Sequence, residues 1–125
     1  MFLRLLKSLT FCMALALAPL VAQAEGFLPG LEDVPLMEGL VVNDGDVMVF
    51  DTPEGRIAEA EAGGLVERDN VIEFYRTTLP QLGWMPNGRG GFDREQEALE
   101  LELSPPETSP VTVKFRIKPL EEARK

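Results

Sequence analysis

Apolar and polar residues alternate with a period of two over much of the second half of this chain. Val111, Val113, Phe115 and Ile117 interleave with Thr112, Lys114, Arg116 and Lys118. A strand with one face on a core and the other in water reads this way. Leu99, Leu101 and Leu103 alternate with Glu100 and Glu102 in the same manner. Over Arg56–Ala62, Ala58, Ala60 and Ala62 face one way, and Ile57, Glu59 and Glu61 the other. Alanine and glutamate favour helices. Period two, and the turn Thr52-Pro53-Glu54-Gly55 just before, decide for a strand. Alanines on its inner face would let a helix approach closely. Val47–Asp51, apolar and partly β-branched, is a further strand.

The helical period is clearest once. Val71, Phe74, Tyr75, Thr78, Leu79 and Leu82 share a face over a helix predicted for Asp69–Leu79. Asp69 suits its N-terminus as a cap or as charge complementing the dipole. Pro80 disturbs the last turn, and Gly83 is a natural stop. Trp84-Met85 begins another strand, Pro86–Gly91 is a loop, and Phe92–Arg94 leads into a tight turn at Glu95-Gln96. That turn sets Phe92 opposite Leu99. A three-proline loop, Ser104–Pro110, centred on Glu107, would set Leu99 opposite Phe115, Leu101 opposite Val113 and Glu100 opposite Lys114. Opposite charges across strands help by a few tenths to ~1 kcal/mol. The expected fold is α+β: a small antiparallel sheet, ββαβββ-like or with one more short strand. One helix packs on its apolar face, and an extended N-terminal arm precedes it.

The arm is Glu25–Asp46. Gly26, Pro29, Gly30, Pro35, Gly39 and Gly45 argue against a long helix there. Yet it is richer in apolar residues than a disordered tail. Leu28, Leu31, Leu36, Met37 and Leu40 are its candidate partner contacts. Two roles stand open at this point. The arm adds to another protein's sheet or groove, or it covers its own domain and protects an edge strand.

The first 24 residues set the compartment. Arg4 and Lys7 precede a mostly apolar run, Leu9–Val21, and then Ala22-Gln23-Ala24. This is the layout of a secretory signal peptide cleaved near Ala24. The run is short of the ~20 residues that span a bilayer, and Phe11 ahead of Cys12 does not suit lipidation. The expected organisation is therefore a signal peptide at 1–24, a Pro/Gly-rich arm at 25–46, an α+β domain at 47–119 and a charged tail at 120–125. The product is periplasmic or secreted, with no stable membrane anchor.

After residue 24 the chain carries 10 basic and 21 acidic side chains, a net charge of −11, and neither Cys nor His. Such a domain is repelled by nucleic acid and by anionic lipid. Without cysteine, burial alone must stabilise it.

Phe74-Tyr75-Arg76-Thr77-Thr78-Leu79-Pro80-Gln81-Leu82-Gly83-Trp84 carries the pattern F-Y-x-x-x-L-P-x-x-G-W, followed by Phe92-Asp93-Arg94 and Leu99–Leu103. This resembles an uncharacterised family of small secreted proteobacterial proteins. The arm, with Val34–Leu40, is similar to the start of such proteins. The resemblance implies export and a helix-to-strand junction, and it carries no activity.

Chemistry is constrained mostly by exclusion. Without His or a Cys after the leader, the common nucleophile–base pairs are missing, and no G-x-S-x-G surrounds Ser104 or Ser109. Carboxylate pairs such as Glu100 and Glu102 leave a hydrolase as a remote alternative. Asn43-Asp44-Gly45-Asp46, with Asp51, has oxygen ligands that suit calcium, but no 12-residue loop ends in a bidentate Glu. Gly88-Arg89-Gly90-Gly91 lacks the lysine of a phosphate loop. Catalytic residues, cofactors and metal ligands are therefore assigned to none. The leading expectation is a non-catalytic exported interaction or accessory domain of the cell envelope, with another envelope protein or itself as partner. A small-ligand or calcium-binding periplasmic domain is the alternative.

Overall fold

A computed structural model describes residues 26–123; residues 1–25, which include the expected signal peptide, and residues 124–125 lie outside that range. The fold is α+β. Its centre is the pair of strands with the strongest alternation, Gly55–Gly64 (β5) and Val111–Pro119 (β9), antiparallel with Ala60 opposite Phe115. Glu97–Leu103 (β8) flanks β9 on its other side. Phe92–Arg94 (β7) and Met85–Pro86 (β6) complete that half of the sheet.

The other edge is one strand broken in the middle. Val41–Val42 (β3) pairs with Ala62 and Gly63 of β5, and Met48–Thr52 (β4) pairs with Gly55 to Glu59. A 3-10 turn at Asp44–Asp46 separates them.

Arg68–Thr78 (α1) carries the chain from β5 across the sheet to β6 at the far edge. It buries Val71 and Tyr75 and continues into a 3-10 turn, Leu79–Leu82. Gly83 then takes φ 91°, a left-handed conformation that favours glycine. The helix begins one residue ahead of Asp69, whose side chain makes no cap bond. Asp69 therefore acts through the dipole alone. The junction F-Y-x-x-x-L-P-x-x-G-W is thus a packing device. Tyr75, Leu79 and Trp84 point into the core, while Pro80 and Gly83 turn the chain between them.

Phe92 lies opposite Leu99, as the turn at Glu95-Gln96 requires. Between β8 and β9 the register departs from expectation by two residues: Leu99 faces Ile117, Leu101 faces Phe115, and Leu103 faces Val113. The cause is the wider loop. Ser104 closes it, donating N–H to the Thr112 carbonyl at 2.9 Å and accepting the Thr112 N–H on its hydroxyl at 3.0 Å. A slip of two leaves every side chain on its own face. Glu100 now lies opposite Arg116 and Glu102 opposite Lys114.

The N-terminal segment is no separate arm. Phe27–Leu28 (β1) and Leu31–Pro35 (β2) form a hairpin. Leu28, Leu31 and Val34 are fully buried, and Met37 and Leu40 join the same core as Tyr75, Phe115 and Ile117. A β-carbon on Gly64 would lie 2.0 Å from the Gly39 carbonyl oxygen, so the segment crosses the end of β5 backbone to backbone. The alanines of β5 share one core with Val71 and Tyr75 of α1. The folded unit therefore begins well before Val47. At the other end, Leu120–Ala123 (α2) forms one helical turn, anchored by the Leu120 N–H on the Gln96 carbonyl at 2.7 Å.

Candidate interaction surface

The densest polar cluster sits where the N-terminal hairpin meets the sheet. Arg56 donates to both carboxylate oxygens of Glu97, at 2.7 and 3.1 Å, and to Asp33 at 2.8 Å. Arg94 reaches the same Asp33 oxygen at 3.0 Å, and its guanidinium lies 4.6 Å from the centre of the Trp84 ring. The indole N–H of Trp84 donates to the Asp33 carbonyl at 3.1 Å. Burial alone would raise the Asp33 carboxyl pKa, but the hydrogen bonds from Arg94 and Arg56 outweigh it and hold it below its ordinary value. The bidentate bond to Glu97 holds the Arg56 guanidinium even more firmly protonated than usual. Each charge here faces its opposite. The cluster is a clamp that fastens β2 to β5, β7 and β8.

Tyr75 makes a second fastening. Its hydroxyl donates to the Pro35 carbonyl at 2.9 Å and accepts the Met37 N–H at 3.2 Å. Burial pushes its pKa up, opposed in part by the Met37 N–H. Among the described residues, every buried side-chain nitrogen and oxygen has a partner.

Two open hollows flank α1. One, of about 550 Å³, lies between the helix and the N-terminal segment, with Met37, Asn70, Glu73, Phe74 and Thr77 on its walls. The other, of about 270 Å³, is lined by Val71, Ile72, Tyr75, Phe92, Leu101 and Leu103. Arg76, at its rim, is held by Glu73 at 2.8 Å. Glu38, Thr78 and Gln81 also border the first hollow, which is open to solvent, while the second is mostly apolar.

The structure relocates the residues taken from the sequence as partner contacts. Leu28, Leu31 and Leu40 are at most 1% exposed, Met37 is 9% exposed, and Leu36 packs partly buried against them. They belong to or pack against the core of this chain, and among them only Met37, at the wall of the larger hollow, and Leu36 keep some exposure. An apolar residue in a Pro/Gly-rich segment reads the same from sequence whether its neighbour is its own domain or a partner. The Asn43–Asp46 segment forms the exposed 3-10 turn at the broken edge. Among the described residues, no three acidic side chains converge as metal ligands would. Glu100 is bound at 3.0 Å by Lys118, on the solvated face.

The surface that sequence reading passed over is β4. Met48, Val49 and Phe50 are 45–49% exposed, although they are consecutive and belong to a strand. β4 pairs with β5 on one side only. A strand apolar on both faces suits the middle of a sheet, and this one lies at an edge. In a two-residue hairpin closed by Thr52 and Gly55, alternate residues turn their backbone groups away from the partner strand. Val49 and Asp51 are the residues that do so here. The signal in the sequence was the absence of alternation in Val47–Asp51.

No family model matches this sequence, and no curated protein or solved structure matches the chain. The surface itself must therefore carry the functional argument. β4 combines unpaired backbone groups with exposed apolar side chains, and extended segments of other proteins add to sheet edges with these features.

Proposed function

We propose that this protein is a non-catalytic interaction domain of the bacterial cell envelope, exported by its N-terminal segment, and that it holds an extended segment of a partner protein along β4. The observation that carries this reading is the run Met48-Val49-Phe50, exposed on a strand whose outer edge is unpaired. Backbone hydrogen bonds would supply register, and the flanking apolar side chains would supply contact area. The resemblance to small secreted proteobacterial proteins and the leader-like first 24 residues support the compartment.

Photo-crosslinking in the producing cell tests it. A photoreactive residue at position 50 is expected to give a discrete adduct with an envelope protein, and the same probe at Ile72, on the exposed face of α1, is expected to give none. Absence of an adduct at position 50, or equal adducts at both positions, would remove the reading.

A further inference from the structure

The charges around β4 say what kind of segment it takes. Gly26–Gly55 contains seven acidic residues and no Lys or Arg. Asp44 and Asp46 stand at one end of β4, and Asp51 and Glu54 at the other, all exposed. No ion pair engages any of these four among the described residues, whereas Asp33 is paired with both Arg56 and Arg94. Arg56 itself is held by Asp33 and Glu97. Arg116 and Lys118, on the sheet's outer face, are held by Glu59 and Glu100. The edge therefore presents an apolar centre between two acidic ends whose carboxylates form no ion pair among the described residues, with Lys114 lining a hollow beside Asp46 and Met48 without pairing with Asp46.

A second copy of this chain fits that edge badly. Antiparallel pairing of β4 with itself would bring the acidic turn at Asp44–Asp46 of one copy alongside Asp51 and Glu54 of the other. Like charges brought together across a sheet edge repel, and charged side chains are a recognised guard of edge strands against pairing. A segment with basic flanks meets the opposite situation at both ends.

We infer that β4 receives an extended, cationic segment of another protein: about five residues with apolar side chains at alternate positions, bounded by Lys or Arg on both sides. This rests on the proposal that β4 is the docking edge. The length follows from β4 itself, five residues at roughly 3.4 Å each, closed off by the Asp44–Asp46 turn and the Pro53-Glu54 turn.

Fluorescence anisotropy on the purified protein tests both layers, using three labelled peptides. One has a Val-Thr-Val-Thr-Val centre with two Lys at each end. The second has the same centre with two Glu at each end. The third repeats the Lys form with Pro at the central position. The Lys peptide is expected to bind at least tenfold more tightly than the Glu peptide and to weaken as salt rises. The Pro form is expected to lose binding. Changing Asp46→Lys together with Asp51→Lys should reverse the preference, with retained far-UV circular dichroism showing that the variant folds. Equal binding of Lys and Glu peptides would overturn the cationic segment while sparing strand addition. Equal binding of the Lys and Pro peptides would show general charge attraction and overturn it also. No binding by any peptide would overturn the docking edge itself. Concentration-dependent dimers abolished by Val49→Pro would assign the edge to a second copy and overturn the inference.

Discussion

The hydroxyl of Tyr75, in the middle of α1, donates to the carbonyl of Pro35, forty residues earlier in the chain, at 2.9 Å. The same oxygen accepts the Met37 N–H. One side chain thus satisfies two backbone groups of a segment that is only partly in regular secondary structure. Tyr75→Phe leaves both groups without this partner, and an unsatisfied buried polar group costs about 1–3 kcal/mol. Urea unfolding followed by Trp84 fluorescence should show a midpoint shift of that size with an unchanged slope. A loss below about 0.5 kcal/mol would mean that the hydroxyl is not the fastening described here.

Removal of residues before Val47 should abolish cooperative folding. Leu28, Leu31, Val34, Met37 and Leu40 are all buried, and full burial of such side chains contributes roughly 1.5–3 kcal/mol each. Their sum rivals the whole stability of a domain, about 5–15 kcal/mol. Thermal melts of the truncated chain should show no sharp transition. A cooperative melt within a few degrees of the longer chain would contradict the placement of this segment in the core.

Gly63 and Gly64 are neighbours with opposite tolerance. A β-carbon at Gly63 makes ordinary contacts of 3.5 Å with Thr112 and the Val111 carbonyl, while one at Gly64 meets the Gly39 carbonyl oxygen at 2.0 Å. Gly63→Ala should be neutral or stabilising by up to about 1 kcal/mol. Gly64→Ala should destabilise by roughly 2–3 kcal/mol, because backbone must move. Chemical denaturation of the two variants side by side checks the contrast.

Acid should weaken the clamp at Asp33. Its carboxyl is held below the ordinary value despite the opposing effect of burial. Its stabilisation is therefore complete above the unfolded value of about 3.9 and is lost as pH falls through the lower, folded value. The side chain is 40% exposed, so the contribution is discounted to about 1 kcal/mol. Asp33→Asn should lower stability at pH 7 by that amount and flatten the fall of stability below pH ~4. A steeper acid limb in the variant would reverse the assignment.

Much of the fold was legible from period and turn chemistry. The alternation of Val111–Lys118, the helical face through Tyr75 and the stop at Gly83 are local signals, and local geometry reproduces them. Phe92 opposite Leu99 followed from a tight turn, which leaves few registers open. The Leu99 register against β9 did not, because alternation repeats every two residues. Shifting the pair by two exchanges Phe115 for Ile117 without exposing either, and only the Ser104–Thr112 closure decides between them. The burial of Leu28 and Leu31 was beyond pattern reading for a different reason. The residues that share their core, Ala58 to Ala62, Tyr75 and Ile117, lie 27 to 89 positions away in the sequence, and nothing local announces such packing. The exposed edge at Met48–Phe50 was hidden because apolar composition alone implies burial.

The core joins residues 28–40 to residues 111–117, so its first and last contributors lie at opposite ends of the folded chain. Pairings between distant segments, such as β5 with β9, form late, since loop closure must precede the contacts that reward it. No N-terminal portion can close this core early: β5 has only the short edge strands beside it until β9 arrives. Along the export route proposed above, the chain would be threaded with its N-terminus leading. The portion already across would then lack β9 until almost the last residue had crossed, and its core would close only at the end of the passage.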